Sequence, residues 1–154
     1  MKIQILAIAK KPQNWVAEAE ADFLARLKNF TKIEIHTLAP SDENSLEIEK
    51  AKKIESAKIL TKISTDDFVI ACDLKSRELD SEKFAEIFRE ARDASKKVVC
   101  VIGGSRGLDS KILERANLKI SFSKMTFPHE LFRVILLEQI YRAFTILAGK
   151  KYHK

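Results

Sequence analysis

Apolar side chains recur along this chain in two alternating rhythms, and each rhythm predicts a backbone. Short runs rich in β-branched and aromatic residues occupy 2–9, 32–38, 67–73, 97–103 and 118–122, which predicts five strands. Between them, apolar residues fall at helical spacing. The stretch 14–30 places Trp15, Phe23, Leu24 and Leu27 on one stripe. The stretch 45–63 alternates charge with Leu46, Ile48, Ile54, Ile59 and Leu60, as a covering helix would. Residues 81–94 carry Phe84, Ile87, Phe88 and Ala91, with Ser81 ahead of Glu82 as the expected N-cap, and 110–115 forms a shorter helix. The polar residues 40–44 read as a surface loop. Strand and helix in alternation predict an α/β domain over residues 1–154, with a mostly parallel sheet covered on both faces.

The last predicted helix, 129–147, breaks the amphipathic pattern. Leu131, Phe132, Val134, Ile135, Leu136, Leu137, Ile140, Tyr141, Phe144, Ile146 and Leu147 occupy nearly its whole circumference. Such a helix must be buried on more than one side. Two arrangements satisfy this: a second copy of the chain packed on it, giving a homodimer, or a central position in a monomeric core.

Composition narrows the setting. No run approaches the roughly 20 apolar residues that span a bilayer. The opening MKIQILAIAKK reads as a strand, because Gln4 interrupts a short apolar stretch that lacks a small-residue cleavage site. Cys72 and Cys100 both sit in apolar runs, which predicts reduced, buried thiols, no metal site and a cytoplasmic location. A net charge of +6 favours a polyanionic partner such as nucleic acid. Interspersed lysines on a solvated surface would give the same balance.

Candidate chemistry concentrates in three places. Three of the four glycines, Gly103, Gly104 and Gly107, lie in VVCVIGGSRGLDSKI, at the carboxyl end of a predicted strand and before a helix. Open α/β sheets bind ligands at that position, and glycine permits close approach. The order G-G-x-x-G is neither a dinucleotide fingerprint nor a phosphate loop, and a tight strand-to-helix turn would account for it equally well. The connection FSKMTFPH, 122–129, holds Phe122, Met125 and Phe127, which either plug the core or cover a flat or thioether-like ligand. The tail GKKYHK combines basic and aromatic residues able to stack on a base and grip a phosphate, or else simply frays. Glu138 stands four residues before Arg142 and can satisfy it, whereas Arg133 has no acidic residue four away on either side and is expected to be free for an anion.

Taken together, IGGSRGL, the stretch SFSKMTFPHELFRVILLEQIYRAFTILAGKKYHK and the opening KIQILAIAKK resemble the ribosomal large-subunit methyltransferase H family over the whole chain. The resemblance implies a SPOUT fold with a deep C-terminal trefoil knot, a homodimer, and S-adenosylmethionine-dependent methylation of N3 of a pseudouridine in 23S rRNA. It carries cofactor contacts onto Cys72, Gly103, Phe122, Ser123, Lys124, Met125, Thr126 and Phe127. Relatives commonly have leucine where this chain has Cys72, a change that preserves an apolar wall. The N3 proton must leave before the nitrogen attacks, so a base or a cationic neighbour is required. His153 is the expected base, with Arg133, Arg142 or Lys154 stabilising the anion, Tyr152 stacking or hydrogen-bonding, and the tail reaching the partner's site. Two rivals are a non-catalytic ribosome-binding factor of the same fold and a flavodoxin-like binder. The latter normally cradles phosphate after its first strand, where residues 10–14 contain no glycine.

Overall fold

The computed structural model describes residues 1–41 and 48–153. Five strands, β1 (Lys2–Ile8), β2 (Lys32–Leu38), β3 (Phe68–Glu78), β4 (Val98–Ile102) and β5 (Leu118–Ser121), form one sheet in the order β2-β1-β4-β3-β5. All four pairings are parallel. Every strand therefore ends on the same rim.

Five helices cover the sheet: α1 (Asn14–Leu27), α2 (Ile48–Leu60), α3 (Ser81–Asp93), α4 (Ser110–Arg115) and α5 (His129–Leu147). Because side chains alternate across a strand, the sheet feeds two apolar clusters. On one face Ile3, Ile5, Ile70, Cys100 and Ile120 meet Leu27 of α1, Phe84 and Phe88 of α3, and Leu136 and Ile140 of α5. On the other, Leu6, Ile8, Val69, Val99 and Val101 meet Ile59 of α2 and Ile112 of α4. Helix α5 lies against both α1 and α3. Its apolar circumference is thus largely used within one chain, leaving Leu131, Val134 and Ile135 half-buried.

Several expectations shift. The N-cap of α3 is Asp80, whose carboxylate accepts the Lys83 N–H at 2.7 Å, while the Ser81 hydroxyl turns to Gln139. Strand β3 continues five residues past 73, because a register shift between Cys72 and Arg77 lets Arg77 and Glu78 pair again with Ile120 and Ser121 of β5. The charged composition of 75–78 hides that extension. Trp15 leaves its predicted stripe: Val16, Glu20 and Leu27 are the buried positions of α1, and Trp15 is 51% exposed. The expected start of the second helix at 45, and most of the 40–44 loop, lie outside the described residues.

Candidate active site

Three loops leaving the rim enclose a cavity of about 680 Å³, within the roughly 300–1,000 Å³ range of small-molecule sites. The loop after β4 is closed on itself. The Gly107 N–H donates to the Gly104 carbonyl at 3.0 Å, and Gly107 takes a left-handed conformation with φ of 77°. A Cβ on Gly103 would stand 2.8 Å from the Gly107 carbonyl carbon, so the turn itself demands glycine there. Asp109 then starts α4, accepting the Lys111 N–H at 3.0 Å, with Leu108 buried beneath.

The loop after β5 is shaped by serines. Ser121 donates to the Ser123 carbonyl and the Ser123 hydroxyl accepts the Met125 N–H, both at 2.9 Å, a fold that leaves Met125 72% exposed. Phe122 packs edge-on against Phe84 and Phe132, and Phe127 stacks on Phe132. Phe122 therefore serves both readings considered for it, joining the core and walling the cavity. From β3 come Cys72, Asp73, Leu74 and Lys75. Burial pushes the Cys72 thiol well above its ordinary pKa, so it stays a neutral, apolar wall.

Of the residues expected to hold a cofactor, Cys72, Gly103, Phe122, Ser123, Met125, Thr126 and Phe127 line this cavity. Lys124 does not, and is exposed. The sequence reading missed Leu74, Leu108, Ile120 and Phe132, which complete the walls. Apolar walls with Asp73 and Lys75 among the lining groups suit a ligand that joins a flat ring to a charged arm. Among the described residues no cluster of His, Cys, Asp or Glu could hold a metal ion, and no helix is long and apolar enough to cross a membrane.

A second cavity of about 480 Å³ shares Ile120, Ser121, Phe122 and Phe127 with the first and is bordered by His153. Gly149, with φ of 62°, turns the tail back after α5, and the Lys150 N–H caps the Thr145 carbonyl. The tail then locks onto α5 and α3. Glu138 accepts Arg142 Nη2 at 2.6 Å and the Tyr152 hydroxyl at 3.1 Å, and the Arg142 guanidinium lies over the Tyr152 ring. His153 Nε2 is 2.7 Å from Glu82 Oε1, while Nδ1 faces Arg142 Nη1 at 3.4 Å. The imidazole is thus held between a carboxylate on one nitrogen and a guanidinium on the other. Burial and the nearby Glu138 raise the Tyr152 pKa, keeping the phenol protonated.

Arg133 does not join this group. It is 2% exposed and pairs with Glu20 of α1, its Nε lying 2.7 Å from Oε1 and its Nη2 donating to Oε2 at 2.9 Å. The expectation of a free anion-binding arginine fails because its partner is 113 residues away in sequence. Lys154 lies outside the described residues.

The family model described as "Predicted SPOUT methyltransferase" matches residues 1–153, so the chain is a methyltransferase of the SPOUT class, with which the parallel sheet, the glycine turn and the rim cavity are consistent. Within that class the chain belongs to the ribosomal RNA large subunit methyltransferase H family. Relatives bearing that name are 43% identical in Carboxydothermus hydrogenoformans, with 100% of both chains covered, and 42% identical in Caldicellulosiruptor saccharolyticus, with 99% of both covered. A solved structure of a probable methylase family protein from Haemophilus influenzae Rd KW20 shares the fold at a TM-score of 0.55 and 16% identity, covering 99% of this chain and 70% of that one.

Proposed function

We propose that this protein is a single-domain, cytoplasmic enzyme that methylates N3 of a pseudouridine in 23S rRNA, using S-adenosylmethionine. The observation that carries the reading is the convergence of the β3, β4 and β5 loops on one cavity whose apolar walls suit an adenosine-sized ligand. The relatives' name supplies the substrate class. Bound there, S-adenosylmethionine supplies a methyl group on a positively charged sulfur, which leaves without acid assistance. What remains for the chain is to orient the acceptor and remove its proton.

In this reading Phe122, Met125 and Phe127 grip the flat part of the cofactor, Gly103 keeps the turn closed beneath it, and Ser123 and Thr126 offer hydroxyls. His153 takes the N3 proton on Nδ1, and Glu82 balances the imidazolium that results. Arg142 stabilises the deprotonated imide once that nitrogen is given up, and Tyr152 presents a protonated phenol to the base. Lys124, outside the cavity, meets RNA phosphate. Arg133 keeps a structural role.

We also propose a knotted chain and a homodimer built on the half-buried strip Leu131, Val134 and Ile135. In the dimer, the tail of one copy completes the cavity of the other. Deleting 152–154 abolishes methylation of large ribosomal subunits while calorimetric binding of S-adenosylmethionine persists; normal turnover by the truncated protein overturns the assignment. Mixing that truncation with a variant whose cavity is disabled restores activity if tails act across the dimer.

A further inference from the structure

The five large apolar side chains most exposed among the described residues are Trp15, Ile48, Ile54, Leu74 and Met125. Single exposed apolar residues are ordinary, but a cluster marks an interaction surface. Leu74 and Met125 line the cavity, and Ile48 adjoins Glu49, which also lines it. Trp15 reaches the same rim by a different route. Strand β1 runs beside β4, with Ala7 opposite Ile102, and a Cβ on Gly104 would stand 3.1 Å from Ile8. The chain leaving β1 therefore starts against the glycine turn, and Trp15 follows Ile8 by only seven residues.

That short loop has the composition of a nucleic-acid contact. Lys10 and Lys11 are exposed and make no hydrogen bond or ion pair among the described residues. The Trp15 indole N–H donates to Gln13 Oε1 at 3.1 Å, which steadies the ring while leaving half of it open. An aromatic ring flanked by unpaired cations is how proteins hold single-stranded RNA, by stacking on bases and neutralising phosphates. No residue of 10–15 lines the cavity, so this surface is separate from the cofactor walls.

We propose that the loop 10–15 docks a single-stranded segment of the RNA that flanks the target base, with Trp15 stacking on a base and Lys10 and Lys11 holding phosphates. The proposal rests on the RNA methyltransferase reading and adds to it the element that seats the substrate.

Trp15 is the chain's one tryptophan, so its emission reports stacking directly. The wild-type protein is titrated with a fluorescein-labelled oligouridylate of about 12 nucleotides, a length within known single-strand site sizes, and followed by tryptophan emission and by anisotropy. Saturable quenching that tracks anisotropy is expected. Trp15→Ala weakens binding about tenfold and Trp15→Phe restores part of it. The pair Lys10→Ala/Lys11→Ala weakens binding and lowers the slope of log affinity against log salt by about 1.4. Calorimetric affinity for S-adenosylmethionine stays at the wild-type value in all three variants, which shows that they fold.

Anisotropic binding without quenching, or variants that bind as tightly as wild type, overturns this proposal while leaving the enzyme reading intact. Variants that lose capture of large ribosomal subunits although the wild type ignores the oligonucleotide also overturn it. A wild type that binds S-adenosylmethionine but neither RNA nor subunits overturns both readings.

Discussion

Arg133→Met separates a structural arginine from a catalytic one. Arg133 and Glu20 are 2% and 7% exposed and tie α5 to α1. The pair is imperfect: Nη1 has no partner among the described residues, and the 2.7 Å approach of Nε to Oε1 is too bent for a hydrogen bond. Removing one member of a buried pair leaves the other charge uncompensated, at about 3–5 kcal/mol. For a chain of this length each kcal/mol moves the melting temperature by about 2–4 °C, so a fall of about 6–20 °C is expected near neutral pH.

Acid should relieve this loss. Burial already holds the Glu20 pKa above 4.5 against the opposing pull of Arg133. An acid whose folded pKa is raised favours the folded state below its unfolded pKa, and that contribution is lost as pH rises through the folded value. Without Arg133 the folded pKa climbs further, so the deficit of the variant shrinks between about pH 7.5 and about pH 5. Replacing both residues, Glu20→Leu with Arg133→Met, removes the charges together and should recover most of the stability. Thermal melts by circular dichroism at the two pH values decide it. A variant melting within about 2 °C of wild type at neutral pH, yet unable to transfer methyl groups, refutes the reasoning and returns Arg133 to the active site.

Two further outcomes follow from individual distances. Gly103→Ala brings a Cβ to 2.8 and 2.9 Å from the Gly107 backbone, which cannot rotate away as a side chain would. The turn must open, and calorimetry should show S-adenosylmethionine affinity reduced about tenfold or more, or about 1.4 kcal/mol, with far-ultraviolet dichroism retained; unchanged affinity counts against the cavity as the cofactor site. Glu34 lies 3.0 Å from Lys2 and 3.2 Å from Lys32, and these ammonium groups lower its pKa from 4.5 to about 2. A lowered pKa stabilises the folded state above the unfolded value and fades as pH falls through the folded one, so Glu34→Gln should flatten the loss of stability between about pH 4.5 and about pH 2 in denaturant titrations.

The parts of this molecule legible in its sequence are those fixed by local spacing. Helices α4 and α5 begin and end where the apolar rhythm does, because Asp109 and Pro128 mark their starts and Gly149 ends the second. The glycine turn and the loop 122–127 stood out because each breaks the composition around it. Features set by distant partners were not legible. Arg133 looked free because helical spacing reveals only neighbours on one helix, and Glu20 belongs to another. The end of β3 depends on β5, which offers Ile120 and Ser121 for renewed pairing after the bulge. The exposure of Trp15, in the first turn of α1, depends on what that turn packs against, which periodicity does not encode.

Strand order would let the proposed catalytic and RNA-docking sites occupy neighbouring loops without competing. In a parallel sheet all the connections that leave carboxyl ends gather on one rim, and here β4 lies between β1 and β3. The loops of β3, β4 and β5 converge on one side of that centre and enclose a cavity. The loop of β1 falls on the other side of β4, against the outer surface of the glycine turn through Ile8. A side chain on Gly104 would meet Ile8 and one on Gly103 would meet Gly107, so the same turn is flanked by the end of β1 and by its own closure. RNA seated on Trp15 would lie seven residues along the chain from that contact with the turn. Coupling between RNA and cofactor binding is expected to pass through this contact, and reciprocity requires each ligand to change the affinity of the other by the same factor.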